Sequence, residues 1–242
     1  MQNEKAGTPV TRPFVWFGAM VQLILASQSP RRRALIALLG QPVSIETADV
    51  DEESVNDPDP EENVVRTALL KARVVASKNE DAIVIAADTT VAIDGEMLGK
   101  PANAGEARRI LQRLRGRAHQ VHTGLALLQR RSGRQVNSVC STGVIMRTYS
   151  GEEIERYIQS GDPFDKAGAY AIQHRGFRPV AQIRGCYSNV VGLALCQLRS
   201  ALRELGIRSD MDVAESTQDY RACATCLALI EIQNGLSGAA SE

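Results

Sequence analysis

The sequence predicts an α/β protein built on a mixed β-sheet with flanking helices. Three observations carry that expectation. Short apolar runs at 23–26 (LILA) and 82–87 (AIVIAA) alternate with helix-like segments, as in a partly parallel sheet. An Asp94-Gly95 pair between strand-like residues marks a tight hairpin. Two longer runs, 120–129 and 135–148, meet near Ser132-Gly133 and call for antiparallel pairing, so the sheet is mixed rather than doubly wound. At 242 residues and 26.2 kDa the chain can bury a substantial core, in one domain or two closely joined lobes.

Each element has a local reason. The run Leu23-Ile24-Leu25-Ala26 reads as a buried strand; Ser29 is then placed as a helix N-cap, Pro30 as the first helical residue and Gly40 as the residue past its end. Residues 43–45 form a short strand before the acidic loop Asp49-Val50-Asp51-Glu52-Glu53. Asp59 and Pro60 open a second helix, with Glu62 in the capping-box position and Val64, Val65, Ala68, Leu69, Ala72, Val75 and Ala76 on its apolar face. The central strand 82–87 is expected to end at Asp88, before the hairpin centred on Asp94-Gly95. Asn103 and Glu106 cap a third helix whose inner side is Ala107, Ile110, Leu111 and Leu114, broken at Gly116. After the two long strands, Ser150 and Glu153 cap a short helix that Gly161-Asp162-Pro163 stops. Residues 165–170 form a polar, glycine-bearing connector to more sheet, and a last core helix spans about 190–205.

Composition narrows the function classes. Lys+Arg 28 against Asp+Glu 28 leaves no net field to draw in polynucleotide or an anionic membrane. The apolar run 14–26 imitates a signal-peptide core, but it is too short to span a bilayer and the basic stretch after it is the wrong flank. The simpler reading starts the folded protein at Met20, with 1–19 a leader or misassigned extension, 20–206 the folded domain, and 207–242 a linker and C-terminal helix. The chain reads as cytoplasmic. Cys223 and Cys226 form a bare C-x-x-C without a second ligand pair, better explained as a helical face than as a zinc or redox site.

Candidate chemistry gathers at two places. Ser27 and Ser29, with Arg31, Arg32 and Arg33, surround the start of a helix, where unpaired N–H groups and the positive helix end suit a phosphate. An ordinary helix start with solvated arginines fits the same pattern, and both readings stand. Asp88, just past a buried strand, and Glu52, in a connecting loop, could hold a divalent ion and activate water. Asp88 as a turn cap and Glu52 as one more solvated acid are the competing readings. Lys71 borders the buried face of its helix, and Lys100 and Lys166 flank other elements, so all three could reach one anion. The histidines His119, His122 and His174 lack zinc-ligand spacing, and no P-loop or dinucleotide fingerprint is present.

Six blocks in a fixed order resemble the Maf family of nucleoside triphosphate pyrophosphatases, which is linked to septum formation. They are 25–32 (LASQSPRR), 87–91 (ADTTV), 94–101 (DGEMLGKP), 116–124 (GRAHQVHTG), 165–173 (DKAGAYAIQ) and 187–193 (YSNVVGL), covering about 21–206. The resemblance implies an elongated two-lobed body with a central cleft, commonly a homodimer. It implies hydrolysis of a nucleoside triphosphate to the monophosphate and pyrophosphate with Mg2+ or Mn2+. It places the catalytic carboxylate on Asp88 and Glu52 near the metal or water. Ser27, Arg31, Lys71 and Lys100 fall on the phosphate side, Lys166 in the later connector. Arg31, Thr89 and Gln173 match the branch acting on dTTP and UTP rather than on 7-methyl-GTP. Two other readings compete: a broader housecleaning enzyme for modified nucleotides, and a non-catalytic nucleotide-binding protein linked to division.

The chain departs from the family pattern in places. Gly192-Leu193-Ala194 stands where Gly-Leu-Pro is usual, an expected local change at a helix start. Thr67-Ala68-Leu69-Leu70 precedes Lys71-Ala72 where Leu-Ala is usual, which bears on how the lysine is presented.

Overall fold

One strand organises the molecule, and it is longer than its apolar run. In the computed structural model, which describes residues 21–207, strand β3 spans Ile83–Ile93 and runs straight through Asp88. The expectation of a strand ending at Asp88 fails because the next residues, Thr89-Thr90-Val91, are β-branched and stay paired with a neighbour. That neighbour is β5 (Ala118–Gln129), which pairs antiparallel with β3 from Val84↔Leu128 to Ala92↔Gln120. Beyond it lie β6 (Arg134–Met146) and β7 (Val180–Arg184), both antiparallel.

On its other side β3 has two short partners. Strand β1 (Leu23–Ala26) runs parallel to it only as far as Leu25↔Ile85, and in turn pairs with the parallel strand β2 (Val43–Glu46). Strand β4 (Glu96–Leu98) folds back through the Asp94-Gly95 turn and pairs from Val91↔Leu98 to Ile93↔Glu96. The sheet order is thus β2-β1-β3-β5-β6-β7 with β4 off β3, the mixed α/β class expected. Between β1 and β4, residues 86–90 of β3 have no strand on that side among the described residues. The sheet is open there.

Side-chain alternation explains the continuous apolar runs, because both faces are covered in this half. Leu23, Leu25, Ile83 and Ile85 pack beneath α1 (Pro30–Ala37) and α6 (Leu195–Glu204). Ile24, Ala26, Val84 and Ala86 point the other way, into α2 (Pro60–Ala76) through Ala68, Ala72, Val75 and Ala76. The alanines let α2 settle close to the sheet. At Gly124 of β5 a Cβ would stand 2.4 Å from the Val64 backbone, so only glycine fits under the helix. Asp88 has the same parity as Val84 and Ala86 and therefore faces α2.

Past the opening, a second core forms on one face. Val91, Ile93, Val121, Val144 and Met146 meet α3 (Ala104–Leu114) and α4 (Gly151–Gln159) through Leu111, Leu114, Ile154 and Tyr157. The capping box expected at Ser150 and Glu153 is present. The one expected at Glu62 is not: Asp59 caps α2 by accepting the Glu61 N–H, and Glu62 lies instead 3.9 Å from Arg66. The single last helix is also corrected. It is split into α5 (Tyr187–Val191) and α6, because Gly192 takes φ +124° and its N–H turns back to the Ser188 and Asn189 carbonyls. Ala194 becomes the uncapped N-cap of α6, the helix-start change expected there. The expected leader, the C-terminal helix and the Cys223/Cys226 pair lie outside the described residues.

Candidate active site

The opening in the sheet is edged by three local structures that the sequence builds separately. The first is the β1–α1 turn. Ser27, buried at 6% exposure, accepts the Ser29 N–H at 3.2 Å, and the Ser29 hydroxyl accepts the Arg32 N–H at 3.4 Å as the α1 N-cap. Ser29 is thereby committed to the helix start. With Pro30 setting the first turn, Arg31 and Arg32 emerge at its positive end. The second is a short 3₁₀ turn, Glu52–Ser54, closed by Asp51, whose side chain accepts the Glu53 N–H. The third is the exit of β4, which carries Lys100.

Lys71 joins these parts. Its Nζ donates to Asp88 Oδ1 at 2.6 Å and lies 3.0 Å from Glu52 Oε1, while Lys100 Nζ stands 4.0 Å from Glu52 Oε2. Lys71 is 6% exposed, so the ammonium is stabilised in the interior by carboxylates from two other elements. Burial pushes the Glu52 carboxyl up, but Lys71, by charge and hydrogen bond, with Lys100 and Arg32, holds it below the ordinary value overall. Asp88 Oδ2 has no protein hydrogen bond among the described residues, leaving one oxygen clamped and one available.

Arg32 works on the opposite face of β3. Its Nε donates to the Gly192 carbonyl at 2.8 Å and its Nη2 to Thr89 Oγ1 at 3.0 Å. Burial lowers its pKa, opposed by the charges of Asp88 and Glu52. Thr123 donates to the Asn189 carbonyl, so the 2.9 Å bond between Thr89 and Thr123 must be donated by Thr89. The relay Arg32, Thr89, Thr123, Asn189 thus fixes the Thr89 hydroxyl at both ends. Thr123 and Asn189 escaped sequence reasoning. Their one signal was lying inside two of the six blocks.

Arg31 and Lys166 form a second cluster. Arg31 Nη1 meets Asp165 Oδ2 at 3.1 Å, and Lys166, also 6% exposed, donates to Asp162 and Asp165. Lys166 is therefore clamped inside the connector and shares no contact with Lys71 or Lys100. Gln173 follows half-buried, with no hydrogen bond to Arg31 or Thr89 among the described residues. The expected residues thus fall into two groups: Glu52, Lys71, Asp88 and Lys100 in one, Arg31 and Lys166 in the other. Ser27 belongs to the β1–α1 turn, and Arg32 and Thr89 pair with each other. A cavity of about 360 Å3 at the far end of β3, β5, β6 and β7, lined by Asp94, His119, Gln120 and Arg184, shares no residue with either.

Comparison with known proteins decides the family, since the Maf-like protein family matches residues 22–205. The chain belongs to the Maf family. A dTTP/UTP pyrophosphatase from Dictyoglomus thermophilum is 47% identical over 186 residues, 76% of this chain and 96% of that protein. One from Syntrophus aciditrophicus is 45% identical over 185 residues, 76% of this chain and 90% of that protein. A HAM1 protein structure from Coxiella burnetii aligns over 76% of this chain and all of that one, at TM-score 0.42 and 18% identity, too distant to carry an argument. As a Maf protein the chain carries both clusters within the matched residues.

The cluster can also be tested against a metal. Among the described residues no group of three or more His, Cys, Asp or Glu converges. Two carboxylates do, Glu52 and Asp88, brought together by Lys71. Hard oxygen donors in that number suit Mg2+ or Mn2+, ions that take one or two carboxylates and complete their shell with phosphate oxygens and water. The residues fit such an ion. No described helix is long and apolar enough to cross a membrane.

Proposed function

We propose that this Maf protein hydrolyses dTTP and UTP to the nucleoside monophosphate and pyrophosphate. The observation that carries the reading is Asp88, clamped at one oxygen by buried Lys71 in the stretch of β3 between β1 and β4 that has no strand on that edge among the described residues. The relatives' activity and the match of Arg31, Thr89 and Gln173 to the dTTP/UTP branch support the choice of substrate.

In this mechanism the triphosphate lies along the opening. The α1 N-terminus, Ser27 and Arg31 bind its oxygens, and Arg32 and Lys100 add positive charge from the sides. Asp88 Oδ2 takes a proton from water as the water oxygen attacks the α-phosphorus. The bond from that phosphorus to the α,β-bridging oxygen breaks, and pyrophosphate leaves with the bonding electrons. Lys71 keeps Asp88 aimed, so little reorganisation is needed at the moment of reaction. Glu52 and Asp88 would hold a divalent cation, which when bound neutralises phosphate charge. On the family resemblance the protein acts in the cytoplasm as a homodimer.

The test is a metal-supplemented panel of dTTP, UTP, CTP, 7-methyl-GTP and modified pyrimidine triphosphates, with both products identified. The expected result is kcat/KM at least ~10-fold higher for dTTP and UTP, which needs only about 1.4 kcal/mol of differential transition-state binding. A 7-methyl-GTP preference of that size overturns the branch. Release of inorganic phosphate alone overturns the reaction.

A further inference from the structure

The pairing of Arg31 points beyond phosphate anchoring. We propose that Asp165 is a built-in competitor for the substrate's phosphate: it occupies the Arg31 guanidinium in the nucleotide-free protein and is displaced when the triphosphate binds. This rests on the reading of Arg31 as a phosphate ligand and adds what holds that arginine beforehand.

The two ends of Asp165 are built differently. Oδ1 is fixed: it accepts from Lys166, whose Nζ also donates to the Asp162 carbonyl and, at 3.0 Å, to Asp162 Oδ1. Asp162 is fixed in turn by the Tyr157 hydroxyl at 2.6 Å, and that hydroxyl accepts the Ala171 N–H at 3.0 Å. The connector, anchored by buried Lys166, thus holds Asp165 in place with or without Arg31. Oδ2 reaches out to one nitrogen of Arg31, in a pair whose side chains are 25% and 61% exposed. A single-point pair in that setting is weak. A phosphate group offers the guanidinium two charge-assisted bonds and more negative charge, so it displaces one carboxylate oxygen.

The pair also links the two halves of the molecule. Arg31 stands on α1, which packs in the core with β1, and Asp165 enters the connector whose Ala169 and Tyr170 pack in the distal core. Each molecule with Arg31 paired is not ready to bind, so the apparent affinity falls by the fraction that is ready. Removing the competitor should restore that fraction.

The experiment is calorimetric titration of a non-hydrolysable α,β-methylene dTTP, with Mg2+ present, into wild type, Asp165→Asn, Arg31→Ala and the double variant. Asparagine keeps an oxygen for Lys166 and loses the charge that holds Arg31. Asp165→Asn should bind roughly two- to fivefold tighter, the range expected for freeing an exposed pair. The gain should vanish in the Arg31→Ala background, and KM should fall without a matching rise in kcat. Asp165→Ser, which removes the carboxylate differently, must reproduce the gain. Equal or weaker binding by both Asp165 variants overturns the proposal, as does a gain that survives Arg31→Ala. If Arg31→Ala binds as tightly as wild type, the phosphate-anchor reading itself fails, whatever Asp165 does.

Discussion

Lys71 and Lys166 are equally buried, at 6% exposure, and each gathers two carboxylates, yet they do different work. The partners of Lys166 are Asp162 and Asp165, four and one residues before it, so the clamp stiffens a single turn of chain. The partners of Lys71 are Asp88, 17 residues on in β3, and Glu52, in a separate 3₁₀ turn. That clamp fixes a helix, a strand and a loop relative to one another. Both obey the same rule, that an ammonium leaves water only with paired charge. What differs is contact distance along the chain. A local clamp shapes a segment, whereas a remote one holds two carboxylates ready at the opening in the sheet.

The largest effect that sharpens this contrast is at Asp88. Asp88→Asn should cut turnover at least ~100-fold, the low end for losing a positioned base, in a protein that still folds because Glu52 remains beside Lys71. Asp162→Asn, on the local clamp, should lower the midpoint and leave kcat near wild type. Steady-state kinetics and thermal unfolding on the same preparations read both. Near-normal turnover in Asp88→Asn breaks the assignment of the remote clamp to catalysis.

Exchanging the lysines for an uncharged side chain is the second test. Lys71→Met and Lys166→Met each strand two carboxylates, at a cost of ~1–3 kcal/mol in urea unfolding, since those carboxylates keep part of their hydration. Only Lys71→Met should also lower kcat, by roughly tenfold or more, because Asp88 loses its aim. An equal fall in kcat for both variants would erase the difference between local and remote clamps.

The same distinction marks what could be read in the sequence. Ser29-Pro30, Asn103, the Ser150/Glu153 box and the Asp94-Gly95 hairpin were legible because each is a short-range signal answered by its own neighbours. Strand β3 continuing through Asp88 was not, since its second half is held by β5, whose register is set far along the chain. The expected helix over about 190–205 overlooked the break at Gly192, where φ of +124° ends α5, although a change of helix start was expected at that place. In the site, residue types and blocks pointed to Asp88, Glu52, Lys71 and Lys100, and the structure joins those four. The sequence placed Lys166 with the other lysines. The structure pairs it with Asp162 and Asp165, four and one residues before it.

The smallest expected effect tests whether the clamps are independent. Burial pushes the Asp165 carboxyl up, but Lys166, by hydrogen bond and charge, and then Arg31 bring it below the ordinary aspartate value. Glu52 is held low on the other side by Lys71, Lys100 and Arg32. A carboxyl depressed in the fold stabilises it in full above the ordinary carboxylate range, and that contribution drains away as pH falls through the lower folded value. Both side chains are well exposed, 44% for Glu52 and 61% for Asp165, so water screens much of each effect. Carboxyl-carbon NMR titration should show both groups low in wild type. Lys71→Met should raise Glu52 and leave Asp165 unmoved, and Lys166→Met should do the reverse. If either lysine moves both carboxylates, the two clamps form one electrostatic network across the opening, and the division between a turn-shaping lysine and a site-building one no longer holds.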